Sequence, residues 1–363
     1  MIYLDYQATT PLAPEALQAM LPWLERQHAN PHSAHAPGRA AKAAVEAARE
    51  QVAALLPSRG SVSFTSGATE ALNWAIKGIG PGRIVTIATE HAAVLDTVEA
   101  MRAMGREVTI LLVDCEGLVD LDAAAEAIRP GTALVAAMLV NNEIGVIQPI
   151  AALADLAHRA GALMLCDAVQ GYGREPIPDA VDLVAVSAHK IHGPKGIGAL
   201  WMRDGIRLAP LLHGGGQEAA GRSGTLSPAL CAGFGAAAAL MALQADVDRA
   251  HVERLWQAAV ARLGADWTIT GATDARYPGN LNIRRAGLDV ARLISELRDV
   301  AFSAGSACAS GSGRPSHVLS ALGLDDASIK SSIRLGFGRY TSEEELVTAI
   351  DRINAAALAQ GAM

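Results

Sequence analysis

Between residues 61 and 201, short β-branched runs alternate with alanine-rich stretches of helical period. This alternation restricts the chain to βαβ units around a mainly parallel sheet. The residues at the carboxyl end of each run are the informative ones. SVSFTS (61–66) leads into Gly67, Ala68, Thr69 and Glu70, RIVTIAT (83–89) into Glu90 and His91, and TALVAAMLV (132–140) into Asn141, Asn142 and Glu143. ALMLC (162–166) is succeeded by Asp167 and Gln170, and DLVAVS (182–187) by His189 and Lys190. Open α/β sheets bind ligands in the crevice outside the carboxyl ends of their strands. Loops are polar in any protein, so one such strand end means little; five with this chemistry predict a single site.

Beyond residue 245 the pattern changes to a charged helix, DVDRAHVERLWQAAVARL, then short strands around YPGNLNI, a helix from Leu288 to Leu297, and a Gly/Ser stretch. This predicts a large domain over 13–245 and a smaller one over 246–363, the latter joined by residues 1–12. The composition, 51% hydrophobic and 18% charged over 363 residues, is that of a compact soluble protein. A net charge of −7 without a Lys/Arg cluster argues against direct nucleic-acid binding. The start, MIYLDYQATTPLAP, lacks the basic and apolar regions of a secretory signal. The longest apolar run, ALCAGFGAAAALMAL (229–243), is short of a membrane span and reads as a buried helix. No membrane association and a cytoplasmic location are therefore expected. Cys115, Cys166, Cys231 and Cys308 form no C-x-x-C and no disulfide framework, which fits a reducing compartment. The first three lie in apolar or helical surroundings and are expected to be inert packing.

The lysines narrow the chemistry. There are five, Lys42, Lys77, Lys190, Lys195 and Lys330, against 25 arginines, so a lysine directly after a buried strand is informative. Held there, the Lys190 amine is partly desolvated, which lowers its pKa and suits it to imine formation with a carbonyl cofactor. Lys195, on the turn after Gly193-Pro194, is structural or phosphate-side. An imine of pyridoxal phosphate needs an anion against the pyridine nitrogen, a role open to Asp167. His91 could lie over the ring, Gln170 could donate to the ring oxygen, and Ser187 and His189 could add donors beside the lysine. Gly67-Ala68-Thr69 opens a helix whose N–H groups and dipole favour a phosphate. Singly, the same residues read as a tight turn, a hydrogen-bonded loop histidine and a helix cap. His189 and His192 have no third ligand at suitable spacing, so no metal site is expected. SAGSACASGS (303–312) has no side chains able to build a core, so Cys308 is either incidental or presented.

With these residues in place, LDYQATTPLAP, NPHSAHAPGRAA, TSGATEALN, TEHAAVLD, VNNEIGVIQPI, CDAVQ, SAHKIHGPKGIGAL, HGGGQEAAGRSGTLSP, SAGSACASGSGRPSHVL and SSIRLGFGRYTSEEE together resemble the cysteine desulfurases. The similarity is to the subgroup with an extended catalytic-cysteine loop, within the class V aminotransferase type. The resemblance implies a fold-type I pyridoxal-phosphate enzyme: an α/β large domain with a mainly parallel seven-stranded sheet, a smaller α/β domain, and a homodimer. It implies that Lys190 carries the cofactor, Asp167 faces the ring nitrogen, Gln170 the ring oxygen, and His91 stacks on the ring. Ala68, Thr69, Ser187 and His189 would hold the phosphate side, completed by Thr225 of the other subunit, and Asn142 and Arg334 would hold the substrate carboxylate. Cys308 would take sulfur from L-cysteine as a persulfide and pass it to an acceptor or scaffold protein. A selenocysteine lyase or general C–S lyase on the same scaffold is the alternative, and an aminotransferase or a non-enzymatic scaffold fits less well. Ala219-Ala220-Gly221 is smaller than the corresponding family stretch, Gly313-Arg314-Pro315 adds a charge and a kink, and the ALAQGAM end is short.

Overall fold

The computed structural model describes residues 1–218, 221–305 and 315–361. Cys308, Ala219, Ala220, Gly313 and Arg314 lie outside the described residues. In chain order the strands are β1 (Ile2–Tyr3), β2 (Gly60–Thr65), β3 (Arg83–Ile87), β4 (Val108–Leu111), β5 (Thr132–Met138), β6 (Leu163–Asp167), β7 (Leu183–Ser187), β8 (Gly198–Arg203), β9 (Thr268–Ile269), β10 (Asn280–Arg284), β11 (Val300–Ala301), β12 (Ser303–Ala304) and β13 (Ser332–Gly336). The helices are α1 (Pro14–Glu25), α2 (Ala36–Ala53), α3 (Ala68–Gly78), α4 (Ala92–Ala103), α5 (Leu121–Ala127), α6 (Ile150–Arg159), α7 (Pro228–Arg262), α8 (Val290–Glu296), α9 (His317–Ala321), α10 (Asp326–Lys330) and α11 (Glu343–Gly361).

Seven strands form one sheet in the order β2-β8-β7-β6-β5-β3-β4, and β8 alone runs antiparallel to its neighbours. This is the expected α/β, fold-type I sheet. Alternation assigns its two faces. Val135, Ala137, Met164, Cys166, Val184 and Val186 join one core with α2, α6 and α7. Leu134, Ala136, Leu165, Leu183 and Ala185 join another with α3 and α4. Because side chains point to opposite faces in turn, strands covered on both faces are apolar throughout, which is why these runs show little polar alternation. Burying each leucine or valine contributes about 1.5–3 kcal/mol, and Trp74 on α3 adds a hydrogen bond from its indole N–H to Ala209 O at 3.0 Å.

A second sheet, β12-β13-β10-β9, lies after α7, and the N-terminal β1 pairs in parallel with β11. The boundary expected at 245/246 falls inside α7, which is one unbroken helix of 35 residues. The helix is long and apolar enough to cross a membrane by length and composition alone. Cys231, Phe234, Ala237 and Ala238 are nevertheless buried in the core shared with α2. Its second half buries Val252, Leu255 and Ala259. One expectation is corrected: Cys115 is exposed, while Cys166 and Cys231 are buried. The Asp114 carboxylate accepts from Glu116 N–H and Leu118 N–H, each at 2.9 Å. That local turn is held by polar contacts.

Candidate active site

The carboxyl ends of β5, β6 and β7 open into a cavity of about 630 Å³, a volume within the range of small-molecule sites. Among the residues lining it are Ala68, Thr69, His91, Asn142, Asp167, Gln170, Ser187, His189, Lys190 and Arg334. Thr225 is not among them; it is exposed, just before α7. The fold therefore brings together every expected site residue except Thr225 and the undescribed Cys308.

β7 ends at Ser187 and tightens into a single 3-10 turn over Ala188–Lys190. The Lys190 amine donates to the carbonyls of Gln7 and, at 2.8 Å, Ala8. Beside it, α3 begins at Ala68 with Gly67 as N-cap. The first-turn N–H groups have no acceptor within the helix and point their dipoles outward. The Thr65 hydroxyl donates to Gly67 O at 2.9 Å, and Ser66 N–H donates to the Glu70 carboxylate at 2.7 Å. Glu70 in turn pairs with Arg222 at 2.8 Å. Glycine is required on the neighbouring strand, because a Cβ at Gly198 would sit 2.5 Å from Val186 O and 2.8 Å from Gly67 Cα. The result is a helix N-terminus, of a kind suited to an anion, one strand away from an amine.

The electrostatics arise from burial. Asp167 lies in register with Met138 at the end of β6, and its carboxylate accepts from Val169 N–H at 3.0 Å. Burial raises its pKa, against the Val169 bond and the charges of His91 and Lys190. His91 caps α4, its Nδ1 accepting from Ala93 N–H at 3.0 Å. That bond assigns the proton of the neutral ring to Nε2, and burial lowers the His91 pKa, favouring that neutral form. His189 is held at about 4 by burial, then by Lys190 and Lys195. Gln170 donates from Nε2 to Gln7 O at 3.0 Å. Behind them Glu90 is wholly buried, and burial, then the Asp167 charge, pushes its carboxyl well above the ordinary range.

Arg334 reaches the cavity from β13. It is 1% exposed; Nη1 donates to Asn142 O at 3.0 Å and Nη2 to Asp5 Oδ1 at 2.8 Å. Its Nε is buried and has no hydrogen-bond partner among the described residues. Buried donors are normally paired, so an unmatched guanidinium donor on a residue that lines the cavity is suited to a carboxylate ligand.

The N-terminal segment is the contribution that strand-end reasoning missed. Gln7, Ala8 and Thr9 line the cavity, Thr10 Oγ1 donates to His189 O at 2.9 Å, and Asp5 holds Arg334. The polar run DYQATT directly after the short apolar MIYL was the available signal.

An amine, a buried acid, a histidine and a helix N-terminus line one cavity at the ends of parallel strands, a set of groups suited to an enzyme site. The chain belongs to the class-V aminotransferase family, whose pattern matches residues 2–348. It is 47% identical to the mitochondrial cysteine desulfurase of Saccharomyces cerevisiae over 95% of this chain and 72% of that one. It is 42% identical to the cysteine desulfurase IscS of Rickettsia bellii over 97% of this chain and 90% of that one. Among solved structures, a NifS-like protein superposes with a TM-score of 0.90 at 31% identity, covering 98% of both chains.

Proposed function

We infer that the chain is a cysteine desulfurase that binds pyridoxal phosphate, converts L-cysteine to L-alanine and passes the sulfur through Cys308. The observation that carries the reading is one cavity lined by Lys190, Asp167, the N-terminus of α3 and the unmatched Arg334 donor. Lys190 would hold the cofactor covalently, Asp167 would face the ring nitrogen, Gln170 the ring oxygen and His91 the ring face. Ala68, Thr69, Ser187 and His189 would hold the phosphate. Pyridoxal phosphate, when bound, supplies a carbonyl for the substrate amine and a ring that accepts the electrons left at Cα.

The remaining steps belong to the chain's own side chains. Arg334 and Asn142 orient the substrate carboxylate. The Lys190 amine is the chain's candidate general base for the Cα proton; its position beside the Gln7 and Ala8 carbonyls keeps it near the cavity wall. The Cys308 thiolate attacks the substrate sulfur: one C–S bond breaks, one S–S bond forms, and the carbon skeleton regains protons at Cα and Cβ. The products are alanine and a Cys308 persulfide, so atoms balance without an external oxidant. The persulfide sulfur then goes to an acceptor or scaffold protein. The reading includes a homodimer in which Thr225 completes the partner's phosphate site, and a cytoplasmic, membrane-free location consistent with the free thiols of Cys115, Cys166 and Cys231.

The test uses the purified holoenzyme with L-cysteine. Alanine and sulfide should form in equal amounts under reductant, and Cys308→Ala should abolish both while leaving the cofactor absorption band intact. Undiminished turnover by Cys308→Ala would reject the nucleophile assignment and favour direct C–S lyase chemistry.

A further inference from the structure

We propose that Glu143 and Ser316 are a positioning pair that ties the chain just after the Cys308 segment to the turn presenting Asn142. The inference rests on the desulfurase reading and names residues that serve the sulfur-transfer half of it.

Ser316 is 1% exposed and Glu143 2%. Ser316 Oγ donates to Glu143 Oε2 at 2.5 Å and accepts from Leu319 N–H at 3.0 Å, so one hydroxyl both caps α9 and grips a buried carboxyl. A carboxyl buried this deeply is costly unless hydrogen-bonded, and a helix of five residues needs no partner 173 positions away merely to be capped. The adjoining His317 donates from Nε2 to Glu90 O at 2.8 Å, immediately before His91. α9 is further seated by Val318, Leu319 and Leu322, which pack with Ile144 and Val146 of the same turn.

The turn itself is rigidly held. Asn141 Oδ1 accepts from Glu143 N–H at 2.8 Å and Ile144 N–H at 2.9 Å. Asn280 donates to Asn142 O at 3.2 Å and Asn282 to Glu143 O at 3.2 Å. Asn142 lines the cavity and its carbonyl accepts from Arg334. One short stretch of backbone thus fixes the carboxylate-binding side chains at Asn142 and the return of the cysteine segment at Glu143. The other end of that segment has a matching tie: Ser303 Oγ donates to Asp5 Oδ1 at 2.8 Å, the same oxygen that Arg334 grips. Gly305 is also locked in place, its N–H donating to Ser332 O at 2.8 Å. The described residues on both sides of the cysteine segment are therefore tied to residues of the carboxylate site.

The experiment is a single turnover of holoenzyme with L-cysteine, read twice. Substrate binding is monitored by the change in cofactor absorbance, and Cys308 persulfide by alkylation and mass spectrometry. Ser316→Ala should leave the binding constant within about twofold and slow persulfide formation about 10- to 100-fold, the usual scale for a misplaced reacting group. Ser316→Thr, which restores the hydroxyl, should recover the rate. If Ser316→Ala fails to take up cofactor, Glu143→Asp withdraws the carboxyl by one methylene while keeping an acid group there, and carries the same expectation. An unchanged persulfide rate, or an equal loss in binding and persulfide formation, overturns the proposal. If the wild-type holoenzyme forms no Cys308 persulfide, the desulfurase reading fails and the pair falls with it.

Discussion

Replacing Arg334 by lysine separates carboxylate binding from the rest of the reaction. The guanidinium makes three bonds within the protein, to Asn142 O, to Asp5 Oδ1 and, at 3.5 Å, to Ser303 Oγ, and its Nε has no partner among the described residues. Lysine preserves the charge, and its ammonium can stay with Asp5. Asn142 O keeps its bond from Asn280 at 3.2 Å, so no buried acceptor is abandoned and the loss of stability should stay within about 1–2 kcal/mol. What lysine cannot do is hold Asp5 and the substrate at once through a planar fork. One charge-assisted hydrogen bond, about 1.5–3 kcal/mol, corresponds to a rise in KM of about 10- to 150-fold. Because the carboxylate is bound alike in ground and transition states, kcat should change far less. The assay is alanine formation against L-cysteine concentration, with thermal melting as the stability control. Cysteamine, which lacks the carboxylate, supplies the internal comparison: binding of it should not distinguish the two proteins. A KM that stays put while kcat collapses, or an equal loss toward cysteamine, would refute the assignment of Arg334 to the carboxylate.

Two other perturbations probe the scaffold. Gly198→Ala places a Cβ against Val186 O and the Gly67 backbone; overpacking should cost about 1–3 kcal/mol and weaken cofactor retention, measured by dialysis and absorbance, and wild-type retention would reject Gly67–Thr69 as the anion cradle. His192 is buried with its pKa held at about 4, chiefly by burial and then by Arg174, below an ordinary 6.5. Between those values the unfolded chain binds a proton that the native His192 refuses, so this contribution to stability is intact above about pH 6.5 and is lost progressively toward pH 4. His192 has φ 66°, which asparagine tolerates, so His192→Asn should lose less Tm between pH 7 and pH 5 than the wild type; equal losses would refute the linkage.

The five strand ends are legible because buried parallel strands are short continuous apolar runs, so the first polar residue after each run marks the sheet's edge. Strand-end reasoning reaches Asp167, His91 and Lys190 without any geometry. It does not reach the N-terminal segment, since nothing local about Gln7 or Asp5 says that β1 pairs with β11 and carries Gln7 to a lysine 183 positions away and Asp5 to Arg334. Nor can local periodicity join 229–243 to 246–263, because the change from an apolar to a charged face occurs within α7 as it passes from one packing environment to another. Cys115 departs from expectation for a related reason: an apolar neighbourhood in sequence became an exposed turn once Asp114 claimed the adjoining N–H groups. The sequence by itself determined the chemistry available, because residue type sets acidity, nucleophilicity and hydrogen-bonding capacity. Only the tertiary structure decided which of those groups share a cavity, because burial and long-range pairing, which shift pKa values and leave Arg334 Nε unmatched, arise when distant segments are packed together.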